Sequence, residues 1–428
     1  MQIAHKIELN ATNKQKTYFA KACGVSRFTW NWALTEWNKR YEENKKILEV
    51  NPEVKKELCQ KISGMSLKKD FNSIKKKDFP WMYGVTKYAS QQPFLDLQDA
   101  WGRFFKKTSK GRPKLKKKGK CRDSFYVGGD QIKIRGKKIH VPNLGLVRLK
   151  ESPRFTGKIN SATFSRIADK WFVSLQFELD DRNEFCPNVK TPIAKRHVGV
   201  DLGITFMAVT SDGHAVISPM PLKKSLRRLK RQQRKLSKKI RAAKRDQRPL
   251  RESKNFQKQK LKVAKIHYRI TNLRKDISHK LTTFLTNNYS SIAIEDLNVK
   301  GMSKNHRLAR SILDVGFGEI RRQIEYKSKW RGESSSVTHV DRFFPSSKTC
   351  NSCKKINNEL TLKDRIFTCQ CGNVVNRDYN ASLNLRDEMK DRKIGGVPAE
   401  FRPVEMAAMQ RAVHPLVVTS IVEAGRKH

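Results

Sequence analysis

Four cysteines and three carboxylates carry the chemistry that is legible in this chain. Cys350-Asn-Ser-Cys353 and Cys369-Gln-Cys371-Gly372 present two thiol pairs from short turns, fifteen residues apart. Four sulfurs so spaced match structural zinc, which sits in a tetrahedron of thiolates at about 2.3 Å. The second pair is C-x-C rather than C-x-x-C, which tightens its turn, and Gly372 supplies the backbone freedom such a turn needs. Buried thiols or disulfides are the alternative reading. Only eight cysteines occur in 428 residues, so four within twenty-two positions argue for a shared ligand. Cys23, Cys59, Cys121 and Cys186 are scattered and read as inert.

The carboxylates are Asp201, Glu295 and Asp378. Asp201 closes the apolar run His197-Val-Gly-Val, Glu295 closes Ser291-Ile-Ala-Ile, and Asp378 opens a segment with Ala381, Leu383 and Leu385 at helical spacing. Acids that end neighbouring strands share one rim of a sheet. Three of them there raise one another's pKa unless cations intervene. A pair of magnesium ions about 3.5–4 Å apart fits such a set, and the chemistry would be phosphodiester cleavage. Singly each acid is commonplace, since an Asp before a glycine or at a helix start is ordinary turn and cap chemistry.

Composition narrows the substrate. Ninety-one Lys and Arg against forty Asp and Glu leave a formal charge of +51, spread along the chain and interleaved with aromatic residues. Self-repulsion on that scale calls for a polyanion, and the interleaving favours nucleic acid over a membrane surface. No segment approaches about 18 unbroken apolar residues and no N-terminal stretch reads as a signal peptide, so a reducing, cytoplasmic setting is expected with no membrane partner. A hydrophobic share of 37% over 428 residues suffices for two to four folded domains.

The elements that must position these residues follow from periodicity. Residues 2–9 read as a strand running into a helix N-cap at 10–13, with a helix over about 13–45. A second helical block spans about 66–107, within which Pro80 and Pro93 are expected to break or start turns. Residues 106–120 hold nine cations with Gly111, Pro113 and Gly119, a basic loop suited to phosphate. Period two then sets in, with strands at 131–135, 138–141, 146–149, 161–166 and 170–177, able to curl into a small barrel that the opening strand joins. After a linker at 181–196, strands are expected at 197–201, 204–210 and 214–218. Residues 223–280, with twenty-four Lys or Arg and three acids, read as a long helical hairpin broken near Pro249. Almost none of those cations has an acidic partner four residues away, so the hairpin needs a polyanion on one face. A strand at 291–297, a helix over about 308–330 and a strand at 336–340 lead into the cysteines.

Read in order, Gly199-Val-Asp201-Leu-Gly203, Ile294-Glu295-Asp-Leu297, Phe344-Pro-Ser-Ser347-Lys-Thr-Cys350-x-x-Cys353, Cys371-Gly372 and Arg377-Asp378-x-Asn380-Ala381 resemble TnpB, the RNA-guided nuclease family of small bacterial insertion sequences and relative of type V CRISPR effectors. The resemblance runs along nearly the whole chain. Lys21-Ala-Cys-Gly24, Arg27-Phe28, Trp30-Asn31-Trp-Ala-Leu34 and the Phe104-Phe105 before the basic loop are similar to it as well. It implies a multidomain fold of α+β and α/β parts: a wedge β-barrel (1–10 and 121–190) interrupted by a helical recognition insert (11–120), then an RNase H-like RuvC domain (195–345 and 373–392) carrying a zinc ribbon (346–372), and the last residues, 393–428, with their glycines and prolines, are expected to form a disordered tail. It also implies that Asp201, Glu295 and Asp378 are the catalytic, magnesium-binding acids and that Cys350, Cys353, Cys369 and Cys371 hold zinc. Lys87, Tyr88 and Gln91 fall where the family reads a short target-adjacent motif. The implied activity is cleavage of double-stranded DNA directed by a guide RNA, in which base pairing carries the specificity. One acid triad per chain allows a monomeric ribonucleoprotein. Two other readings fit the same basic charge: a nuclease-inactive RNA-guided repressor, and a protein-only DNA transposase.

Overall fold

The computed structural model describes residues 2–50, 59–109, 111–179, 196–250, 252–331, 335–361, 363–393 and 417–418. The chain divides into two compact units, Met1–Phe185 and Cys186–His428. Cys186 and nearly all of the expected linker at 181–196 lie outside the described residues, as does most of the expected tail at 393–428. Among the described residues no helix is long and apolar enough to cross a membrane.

The first unit opens with β1 (Gln2–Asn10), whose alternate residues Ile3, His5, Ile7 and Leu9 are buried, as period two requires. Three helices follow, α1 (Asn13–Val50), α2 (Gly64–Asp78) and α3 (Tyr88–Phe105), before β2 (Ser124–Gly128), β3 (Lys133–Arg135), β4 (Lys138–Val141), β5 (Gly145–Leu149), β6 (Lys158–Ile167) and β7 (Lys170–Glu178). All strands join one sheet in the order β2-β6-β7-β1-β5-β4-β3, with every pairing antiparallel. The opening strand is thus its middle strand. The sheet holds one strand more than the periodicity marked, Ser124–Gly128. Its outer strands β2 and β3 are not hydrogen-bonded to each other among the described residues, so any curl toward a barrel is not closed by that pairing. Phe19 of α1 seals the sheet, its ring centroid 5.1–5.9 Å from those of Phe125, Phe164 and Trp171.

Pro80 begins a 3₁₀ turn (Pro80–Gly84), as expected, whereas Pro93 sits inside α3 and is buried there. The expectation fails at Pro93 for a physical reason. Past the first turn Pro93 costs α3 one amide hydrogen bond, and burial of Phe94, Leu97 and Trp101 along the same helix outweighs it and holds the helix continuous.

The second unit carries β8 (His197–Asp201), β9 (Phe206–Thr210) and β10 (His214–Ile217), the hairpin α4 (Pro221–Arg245) and α5 (Lys254–Asn288), then β11 (Ser291–Glu295), α6 (Val299–Met302), α7 (Ala309–Val315), α8 (Phe317–Trp330), β12 (Ser336–Val340), β13 (Ile366–Thr368), β14 (Val374–Asn376), α9 (Arg377–Lys393) and β15 (Val417–Val418). Six strands form a mixed sheet in the order β12-β11-β8-β9-β10-β15, in which β11 runs parallel to both β8 and β12. Its core gathers Val198, Val200, Ile292 and Ile294 from the strands with Leu281, Leu285, Ile312, Ile320 and Ile324 from the helices. The helix expected over 308–330 is two helices, broken at Gly316, which takes the left-handed conformation at φ 79°.

The break serves the basic hairpin. Met220 stands at the N-cap of α4 without a side-chain cap bond, and Asp314 of α7 supplies the cap from a distance. Its carboxylate accepts from the amides of Leu222 (3.1 Å) and Lys223 (3.0 Å) and from Arg274 of α5 (2.9 Å). One almost fully buried carboxylate therefore ties the roots of both hairpin helices together. Asp314→Ala leaves Arg274 and two helix amides unpaired. The expected cost is about 3–5 kcal/mol, read as a fall of on the order of 10 °C in the melting of the second unit by calorimetry. Unchanged melting would remove this anchoring role.

Candidate metal centre

Asp201 and Glu295 are the last residues of β8 and β11, and the parallel register Ile294↔Val200 sets them side by side at the carboxyl ends of those strands. Asp378 enters from α9. That helix lies on β8 through Gly199, where an added Cβ would stand 1.9 Å from the Ser382 carbonyl oxygen and 2.5 Å from the Arg386 amide. Ala381, Leu385 and Met389 are buried on α9, the last two in a cluster with Ala293 and Val340 against which Phe344 packs. Asn376 caps the helix, its Oδ1 accepting from the amides of Asp378 (3.0 Å) and Tyr379 (3.1 Å). Asp378 therefore stands in the first turn, where the helix dipole favours negative charge.

The three acids are half-buried, and Asp201 feels the other two. Burial first, then Asp378 and Glu295, push the Asp201 carboxyl up to about 8, against the pull of Arg377. Burial and the adjacent Asp296 raise Glu295. Asp296 itself is held low by Arg342 (2.5 Å) and Arg321. Two guanidiniums thus engage one of two consecutive carboxylates and leave Glu295 facing the rim. The oxygens of the three acids are not all within 4.8 Å of one another, a spacing that the four thiols alone achieve among the described residues. Two ions about 3.5–4 Å apart need a wider cradle than one. The donor set, all hard carboxylate oxygens, suits magnesium.

The thiols fit zinc more closely. The edge of a tetrahedron with 2.3 Å bonds is about 3.8 Å; Cys350 and Cys371 Sγ are 3.7 Å apart, and Cys353 and Cys369 Sγ 3.5 Å. All four are free thiols, which sets disulfides aside. Burial acts to raise Cys350, but hydrogen bonds from the Cys353 amide, Asn373 and the Ser352 amide bring it down to about 6. At Cys371 the Asn373 amide acts to lower the thiol, and its three sulfur neighbours outweigh it, pushing it up to about 12. So crowded a group cannot ionise fully without a cation in its midst. The C-x-C pair closes the site because Gly372 turns at φ 86°, between the short antiparallel strands β13 and β14.

Sequence reasoning placed Asn380 in a motif without a role and passed over Asn384, the two residues that join this knuckle to α9. Asn380 and Asn384, both buried, reach the backbone around Cys350. Asn380 donates to the Thr349 carbonyl (2.7 Å) and accepts from the Asn351 amide (3.1 Å); Asn384 donates to the carbonyls of Ser346 (2.8 Å) and Thr349 (2.7 Å). Two asparagines four apart among small and apolar helix residues were the available signal.

Lys87, Tyr88 and Gln91 lie in the first unit at the start of α3. Tyr88 donates to Asp130 (2.6 Å), which holds its hydroxyl up to about 12, and Lys87 stands 3.8 Å from the same carboxylate and over the Tyr88 ring. Gln91 is half-buried one turn further on.

Comparison with known proteins adds the following. A family described as probable transposase matches residues 174–306, a Cas12f1-like TNB domain matches 317–385, and a helix-turn-helix domain matches 1–46. That last stretch folds here as β1 and one continuous helix. An inferred RNA-guided DNA endonuclease, InsQ of Escherichia coli strain K12, is 31% identical over 401 residues, covering 89% of this chain and 91% of that protein. A relative of the same description from Streptomyces pristinaespiralis is 31% identical over 387 residues, covering 89% and 88%. A chain solved in a Cas12f1, sgRNA and target DNA complex is similar over 91% of this chain at 14% identity and a TM-score of 0.33.

Proposed function

The chain belongs to the TnpB family, and on that premise we propose that it is an RNA-guided DNA endonuclease whose RuvC-type centre is Asp201, Glu295 and Asp378. The observation that carries the reading is the meeting of two adjacent strand ends with a helix start across a glycine that has no room for a side chain. The substrate is double-stranded DNA beside a short motif, opened by pairing with a guide RNA.

The acids would hold two magnesium ions, which when bound supply Lewis acidity at the attacking and leaving oxygens of the phosphodiester. The residues themselves do the rest. Asp201 and Glu295 stand on rigid strand ends, Asp378 is fixed by the Asn376 cap, and Arg377 lends positive charge beside Asp201. Cys350, Cys353, Cys369 and Cys371 would hold zinc in a structural role. The cation-rich α4–α5 hairpin offers a phosphate-binding face for the guide, and Lys87, Tyr88 and Gln91 are assigned to reading the target-adjacent motif.

RNA that copurifies with the chain, when sequenced, is expected to end in a guide segment matching the cleaved DNA. RNase treatment is expected to abolish cleavage. Full cleavage by RNA-free protein would sink the RNA-guided reading and favour a protein-only transposase.

A further inference from the structure

Asp378 is bracketed by the thiolate knuckle. Two residues before it, Asn376 ends β14 of the knuckle hairpin and caps α9; two residues after it, Asn380 is bonded to the backbone on both sides of Cys350. One turn on, Asn384 repeats the grip on Ser346 and Thr349 and accepts from the Asn351 side chain at 3.3 Å. A third turn adds Asp387, which accepts from Asn351 (2.8 Å) and Lys354 (3.0 Å). Residues 380, 384 and 387 thus share one helix face turned to residues 346–354, while Leu385 and Met389 pack against Ala293 and Val340 of the sheet.

Burying asparagine amides in this face is costly unless each is bonded, and here both are. A leucine pair would fill the same space, but apolar contact tolerates sliding along a helix, whereas hydrogen bonds of 2.7–2.8 Å to fixed carbonyls do not. The knuckle backbone is in turn fixed by the four thiols around one centre.

We propose that Asn380 and Asn384 are positioning residues of the nuclease, transmitting the geometry of the four-thiolate centre to Asp378. The assignment rests on the nuclease reading above. It makes the knuckle part of the catalytic frame: where the thiolates close, α9 is set lengthwise, and its first acid is set with it.

The test uses the full chain with its copurified RNA and two substitutions. Asn384→Asp keeps the shape and removes both donated bonds; Asn384→Ala removes the side chain and leaves the carbonyls free to take water. Four quantities are read: zinc per chain by elemental analysis, guide RNA retained, manganese affinity at the acids by electron paramagnetic resonance, and kcat with KM on target DNA. The expected result is zinc and RNA as in the parent, manganese bound about 10-fold more weakly, and kcat lowered on the order of 10- to 100-fold with KM unchanged. Parent-like manganese affinity and kcat in a zinc-loaded variant would overturn the proposal. So would loss of zinc in both variants, which would make the asparagines part of the knuckle itself. Asp201→Ala, run alongside, separates the two claims: if it still cleaves, the nuclease centre is wrong whatever Asn384 does.

Discussion

Replacing Asp201 with alanine should lower target-DNA cleavage on the order of 10³-fold or more while the ribonucleoprotein still binds its target. The size follows from what the side chain faces. Asp201 ends β8 beside Glu295 and opposite Asp378, and its carboxyl is pushed up to about 8 by burial and by those two neighbours. On the proposed reading, removing it would take away one of three anionic anchors for cations that would stabilise charge on the reacting phosphate, and fixed electrostatic elements of this kind are each worth on the order of 10²- to 10³-fold. Target binding should persist because it draws on base pairing and on the cations of α4 and α5, none of which Asp201 contacts among the described residues. Single-turnover cleavage of labelled duplex with a gel-shift assay on the same sample separates the two effects. Parent-rate cleavage by Asp201→Ala would remove the RuvC assignment.

The second large effect concerns the thiols. Cys350→Ser, or chelation, is expected to empty the knuckle, lower the melting temperature of the second unit and abolish cleavage. Beyond its sulfurs and its hydrogen bonds to α9 the knuckle has a small apolar core: Leu360 and Phe367 are its buried apolar residues, with Val375 packed beside them. Structural zinc contributes about 10–16 kcal/mol in small metal-dependent folds, far more than two or three side chains of that size supply at about 1.5–3 kcal/mol each. Proteolysis should open first between residues 346 and 376, with the first unit unchanged. Elemental analysis, calorimetry and mapped cleavage sites report on it. Unchanged melting together with absence of zinc in the parent would show that the thiols have no structural metal.

Much of this was legible along the chain because it is local. An apolar β-branched run that ends in an acid reads as a buried strand with its carboxylate at the rim, and residues 197–201 and 291–295 fold so. Paired cysteines around short turns announce a ligand cage before any contact is known. The hairpin was legible from leucine and isoleucine spacing on either side of Pro249.

What stayed hidden depends on distant partners. Nothing local puts β1 in the middle of its sheet, since that place is decided by β7 and β5 some 140 to 170 residues away. Asp314 reads as an ordinary surface acid until α4 arrives without a cap of its own. Pro93 looked like a breaker because propensity counts the lost amide and not the packing of α3. Asn380 and Asn384 are poor helix formers on paper, and only the carbonyls of Ser346 and Thr349 explain them.

Gly199 carries a consequence for how such a chain can change over generations. With the Ser382 carbonyl 1.9 Å from where its first side-chain carbon would lie, the position admits no neighbour-by-neighbour drift. Even alanine, the smallest step, asks α9 to retreat by more than an atom's radius, and Asp378 retreats with it. Position 199 keeps α9 seated on β8 only while it carries no side chain.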